Sequence, residues 1–175
     1  DVTAVYMAQD SGALVHTAGI QFPASQVANG GANVLDDYEE GSFTPSYTLA
    51  TAGDSSFTED REYGRYTKIG RQVFFQIYIR TDGYSNSSGS GNLQVSGLPF
   101  ASDSTAYIFR PITVAASDFA SNNNPISATL ANNVQYILLY KRADANDSDV
   151  LLDENSPVTG TNKNELYLSG SYNIS

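Results

Sequence analysis

RQVFFQIYIRT, residues 71 to 81, decides the class of fold. Val73, Phe75, Ile77 and Ile79 recur at every second position, the period of a strand that turns one face to a core. β-branched and aromatic side chains suit such a pleated, half-buried surface. The opposite face, Phe74, Gln76, Tyr78 and Arg80, is amphipathic rather than uniformly wet. Just upstream, REYGRYTKIGR (61 to 71) reads as a preceding strand, with Gly64 at its bend and Gly70 at its turn. Before that, SFTPSYTLA (42 to 50) sets Phe43, Pro45, Tyr47 and Leu49 against Ser and Thr, and Pro45 argues for an edge or entry strand. Downstream, DGYSNSSGSGN (82 to 92) reads as a long loop.

NLQVSGLPF, TAYIFRPITVAA, PISATLA, NVQYILLYKR and NELYLSGSYNI then alternate between clusters of Asn, Asp, Ser or Gly. About eight strands at this spacing predict an all-β sandwich or barrel. Pro111 marks its strand as an edge or a bulge. The alternation predicts a core of Phe43, Tyr47, Tyr66, Ile69, Val73, Phe75, Ile77, Val95, Leu98, Ile112, Val134, Tyr136, Leu138, Leu166 and Leu168. Residues 1–34 differ: short apolar stretches, extended at Val2 to Met7 and Leu14 to Phe22, lie among Gly, Ala, Ser and Asn, and NGGAN (29 to 33) is a flexible break. Such a segment needs a partner surface, either the domain over residues 35–175 or copies of itself.

The chain's 175 residues fit one domain plus an extension. No apolar run approaches the ~18 residues of a helical membrane span, and the N-terminus lacks the basic-then-apolar order of a signal peptide. The expectation is a soluble protein without membrane insertion. The absence of cysteine removes disulfides, thiolate metal sites and cysteine nucleophiles. A net charge of −10 repels phosphate backbones, so nucleic acid is not an expected partner.

The acids of LDDYEEG (35 to 41) raise the question of chemistry. Paired glycosidase carboxylates stand ~5 to 9.5 Å apart across a bound sugar. Asp36, Asp37, Glu39 and Glu40 could reach that spacing, but the segment offers no cleft, and neighbours in extended chain point apart. The reading is a charged, solvated junction. In DANDSDVLLDEN (144 to 155), Asp144, Asn146 and Ser148 fit the first positions of an EF-hand loop, yet Asp149 stands where Gly belongs and Asn155 where Glu belongs. A looser calcium site of Asp144, Asp147 and Asp149 is the remaining metal candidate, and a chelator would then lower the melting temperature. Otherwise no cofactor is expected. His16 is the sole imidazole, so neither a zinc site nor a Ser-His-Asp triad has its parts within the core domain. Sugars stack on aromatic rings and hydrogen-bond to amides. Tyr84 with Asn86, and Phe119 with Asn122, Asn123 and Asn124, place those types together at predicted loop tips.

GIQFPASQV (19 to 27), LDDYEEGSFTP, GRYTKIGRQVFFQIYI (64 to 79), VSGLPF (95 to 100) and ELYLSGSY (165 to 172), in that order, resemble the C-terminal module of tailed-phage fibre proteins of marine and cyanobacterial phages. The resemblance implies a jelly-roll-like β-sandwich at a fibre end, a homotrimer, a place on the virion joined to other tail or capsid proteins, and attachment to host-surface glycan rather than catalysis. LDDYEEG then becomes the collar between shaft and domain, with Leu35 and Tyr38 as anchors and the acids facing water or a neighbouring subunit. Two alternatives stand beside this: a structural capsid fibre, decoration protein or trimerisation cap, and a glycan depolymerase, for which the chain lacks a solenoid period. The acidic charge predicts a neutral glycan or cation-dependent binding.

Overall fold

A computed structural model describes residues 37–105, 109–142 and 149–175. The N-terminal segment 1–34, Leu35, Asp36, and the calcium candidates Asp144 and Asp147 lie outside the described residues. Ten strands carry the fold: β1 Tyr38–Phe43, β2 Ser46–Thr51, β3 Ser56–Ile69, β4 Gln72–Ser85, β5 Ser90–Ser96, β6 Arg110–Ser117, β7 Ser127–Leu130, β8 Tyr136–Arg142, β9 Asp149–Leu151 and β10 Lys163–Asn173. All pairings are antiparallel, and the described residues contain no helix. The order is β1-β3-β4-β10-β6-β7-β8-β5-β2, with β9 on β8.

The sheet curls at β6. Arg110 to Ile112 pair with β7, whereas Thr113 to Ser117 pair with β10, so one strand serves both halves. Pro111 falls in the part that pairs on one side only, the edge-like position expected of a residue without an N–H. The halves face a common core. Tyr47 of β2 donates its hydroxyl to the Asn164 carbonyl of β10 at 2.7 Å, and its ring meets Phe119 edge-on at 6.3 Å. Val73, Phe75, Ile77 and Ile79 are all buried there, as their period of two requires.

Several expectations change. SFTPSYTLA is two strands: Thr44 and Pro45 interrupt the ladder, and the chain crosses from β1 at one sheet edge to β2 at the other. The loop expected over 82–92 shrinks to residues 86–89, because β4 continues to Ser85 and β5 starts at Ser90. In β8 the buried face is Ile137 and Leu139, and Tyr136 and Leu138 lie on the other side. β8 is apolar on both faces, so its alternation is silent about direction; pairing of Val95 with Ile137 sets it. Ile69 is likewise exposed on the outer face rather than in the core.

Gly64 is not a bend. A Cβ there would lie 2.6 Å from the ring of Phe43, its cross-strand partner, and one on Gly41 would lie 2.9 Å from the ring of its partner Tyr66. Each glycine leaves the slot that its partner's ring fills, a device that protects a glycine-containing edge pair. Tyr66 extends this packing edge-on to Phe100.

Candidate functional site

Strands β1, β3, β4, β10 and β6 present one outer face to solvent. Tyr63 pairs with Tyr78, and Tyr78 with Tyr167, so three neighbouring strands place a tyrosine at the same level. The next level holds Ser42, Arg65, Gln76, Ser169 and Thr113, and the one beyond it Glu40, Thr67, Phe74 and Ser171. Non-adjacent chain segments thus form one continuous plate.

Tyr78 and Tyr167 stack with centroids 4.5 Å apart and planes 2° from parallel; Tyr63 continues the row at 6.4 Å and 20°. Tyr63 is 63% and Tyr167 47% exposed, so this ladder keeps its outer edges in water. One carboxylate oxygen of Glu165 accepts hydrogen bonds from both Tyr78 and Tyr167, each at 3.0 Å. Burial first, and the Glu165 bond second, push the Tyr78 phenol up to about 12. Tyr78 therefore keeps its proton at physiological pH, and the hydroxyls of Tyr78 and Tyr167 are aimed by a fixed acceptor. Beside it, Tyr63, Tyr78, Tyr167, Arg65, Gln76 and Thr113 line a groove of about 460 Å³, within the ~300–1,000 Å³ of small-ligand sites. A second groove shares Arg65, Gln76 and Ser169 and continues past Phe74 to Glu40 and Ser42.

The sequence-predicted aromatics lie elsewhere and pack inward. Phe119 is 8% exposed and belongs to the core, which corrects its placement at a loop tip. Tyr84 sits in β4, stacks on Phe57 at 4.7 Å, and donates to the Glu154 carbonyl at 2.6 Å. Phe119, Tyr47, Phe57 and Tyr84 form one row of touching rings, so both predicted aromatics are ends of an internal stack. Asn86 closes the 86–89 turn by bonding both backbone groups of Gly89. Asn122 takes the left-handed conformation at φ 63°, Asn123 accepts from Lys141, and Asn124 accepts from the Phe119 N–H at 3.3 Å. All are turn-forming roles.

Asp149 is exposed and accepts from Ser127 at 3.5 Å, and among the described residues no three His, Cys, Asp or Glu gather as a metal set. Asp37 is buried, not solvated: it accepts a hydrogen bond from the buried Lys68, whose ammonium lies 5.6 Å from the Phe100 ring centroid. Tyr38, expected as the anchor, is 41% exposed. The ladder itself was partly visible as the amphipathic second face of RQVFFQIYIRT. Its partners Tyr63 and Tyr167 lie 15 and 89 residues away from Tyr78, and only strand register brings them level.

No protein-family model and no curated protein matches the chain. A crystal structure of the Dettilon tailspike protein is similar in fold, with a TM-score of 0.51 and 22% identity over 78% of this chain. The match spans 24% of that longer chain. The class defined by fold and face is an all-β, antiparallel curled-sheet module, of a kind that also occurs within a phage tailspike.

Proposed function

We propose that this chain is a phage tail-fibre attachment module that holds host-surface glycan, without cleaving it, on the Tyr63–Tyr78–Tyr167 face. The observation that carries the reading is that Tyr63 and Tyr167 stay exposed on either side of the half-buried Tyr78, beside a largely apolar groove, where a core role would have buried all three rings. Sugar rings present C–H faces to such a plate, while Gln76, Ser169 and Thr113 offer hydrogen-bonding groups around it. The tailspike likeness and the resemblance to fibre C-terminal modules support a place on the virion tail.

The finer architecture in this reading is a jelly-roll-like sandwich formed by folding the sheet at β6, assembled as a homotrimer. Tyr38, Ile69 and Phe74 support self-association: they are exposed together at the β3–β4 hairpin end, next to Asp37, where the N-terminal segment joins. Three copies make weak single sites sufficient, since linked binding exceeds single-site affinity by ~10²–10⁴.

The test is saturable binding of labelled protein to intact candidate host cells, with released surface polysaccharide as competitor. Tyr167→Ala is expected to weaken binding up to roughly tenfold per site, the size of one aromatic contact. Its mass in solution is expected to stay that of the parent. Absence of competed binding to any susceptible host would sink the reading; so would a Tyr167→Ala protein that dissociates into monomers, which would make the face a subunit contact. Release of reducing ends would show a depolymerase instead.

A further inference from the structure

Nearly every cation on this chain is engaged. Of its nine Lys and Arg, Lys68 pairs with Asp37, Arg61 and Arg80 with Asp60, Arg110 with Asp103, Lys163 with Asp118, and Lys141 bonds Asn123. The side chains of Arg65 and Arg71 make no ion pair or hydrogen bond among the described residues, although the chain carries 19 carboxylates, and of the two it is Arg65 that borders the tyrosine ladder. Its cross-strand partner Gln76 is equally unengaged, and both side chains are exposed on the outer face. The pair lies between the tyrosine ladder and Phe74 and lines both grooves.

We propose that Arg65 and Gln76 form a subsite for an anionic substituent, a carboxylate or sulfate, of the sugar whose ring lies on the tyrosine ladder. This rests on the glycan-binding reading of the face. A guanidinium offers two parallel N–H donors in a plane that matches a carboxylate or sulfate edge, and the Gln76 amide adds a third donor beside it. Residues two apart on a strand are separated by ~6.6–6.8 Å along it. The Arg65–Gln76 level is therefore one such step from the tyrosines, close enough for a substituent on a ring stacked there. Serine and threonine hydroxyls at the same level, Ser169 and Thr113, accept or donate to ring hydroxyls.

Net charge alone pointed to a neutral glycan or to cation-dependent binding. That sum counts every carboxylate equally, but charges beyond ~8 Å are largely screened at physiological ionic strength. The acids nearest the face have their own partners or sit at its margin. Glu165 is occupied by Tyr78 and Tyr167, and Glu40, one level beyond Arg65 on the neighbouring strand β1, accepts from Tyr38 at 2.9 Å. A single anionic group placed on Arg65 meets a local cation.

The experiment uses the full chain against immobilised oligosaccharides in matched pairs: uronate-bearing sugars with their methyl esters, and sulfated sugars with their desulfated forms. At least one anionic sugar is expected to bind roughly tenfold tighter than its neutral partner, with the difference shrinking as salt is raised. Arg65→Gln is expected to abolish the preference, bringing both members of a pair to the same affinity; Arg65→Lys keeps part of it, because the charge remains and the fork is lost. Tyr167→Ala weakens both members of a pair. Equal binding within every pair, a preference that survives Arg65→Gln, or no anionic sugar bound by a protein that still binds host cells would overturn the subsite alone. A protein that binds neither sugars nor cells would overturn the attachment reading beneath it.

Discussion

Asn164 is fully buried, and its side chain makes three hydrogen bonds: its amide donates to the Thr81 hydroxyl at 2.7 Å and the Val158 carbonyl at 2.8 Å, and its oxygen accepts from the Val158 N–H at 2.7 Å. Its backbone carbonyl receives the Tyr47 hydroxyl, and its φ of 51° is a left-handed value that asparagine tolerates better than most residues. One residue thus ties β10 to β4, to the segment before β10, and to β2 across the core. Asn164→Ala strands a buried donor and acceptor, each costing ~1–3 kcal/mol. The expected loss is ~3 kcal/mol, read as a fall of roughly 6–12 °C in melting temperature for a chain of this size. A melt within ~2 °C of the parent would show that water replaces the amide. In the sequence this residue was one more polar letter at a strand start, because the partners that make it structural are 6, 83 and 117 positions away.

The β1–β3 pair is held by matched glycines and rings rather than by apolar bulk. Gly64→Val would drive a side chain into the Phe43 ring, displacing β1 from β3, its only ladder partner among the described residues. A cost of ~1–3 kcal/mol is expected, with amide exchange in Tyr38–Phe43 accelerating before that of β4. Combining it with Phe43→Ala should recover part of the loss, since the clash needs both groups; strictly additive effects would contradict the slot-and-ring arrangement. Element directions were readable wherever one face was polar, as in β2, β5 and β10. They were unreadable in β8, where YILLYKR offers apolar residues to both sides. Tyr84 looked like a loop tip for the opposite reason: the polar run after it concealed a strand that continues to Ser85.

At the scale of the molecule, the phenols couple stability to alkaline pH. Burial holds Tyr47 well above its ordinary value, the bond to Glu39 holds Tyr66 at about 12, and burial holds Tyr78 and Tyr172 at about 12. Below pH 10 both folded and unfolded chains keep these protons, so the contribution is full. As pH rises from 10 toward 12 the unfolded chain releases them first, and the folded state loses ground. The melting temperature is expected to fall over that interval, with phenolate absorbance appearing together with unfolding. Full phenolate absorbance near pH 10 in a folded protein would contradict the burial of these rings. On the acid side, Asp60, lowered chiefly by its bond from Arg80, and Asp103, lowered chiefly by the Thr105 N–H, contribute stability above pH 3.8 that is lost as pH falls below it.

An all-β chain, most of its strands, the buried face of RQVFFQIYIRT and the edge-like place of Pro111 could be read from the order of residues alone. Those follow from local period and backbone chemistry, which act within a few residues. Long-range packing was needed to show that SFTPSYTLA divides between opposite sheet edges, that Asp37 is buried against Lys68, that Phe119 and Tyr84 close an internal aromatic row, and that Tyr63, Tyr78 and Tyr167 share a level with Arg65 and Gln76 beside them. Such placements depend on which strands pair and in what register, and a shift of one residue would send every side chain to the opposite face.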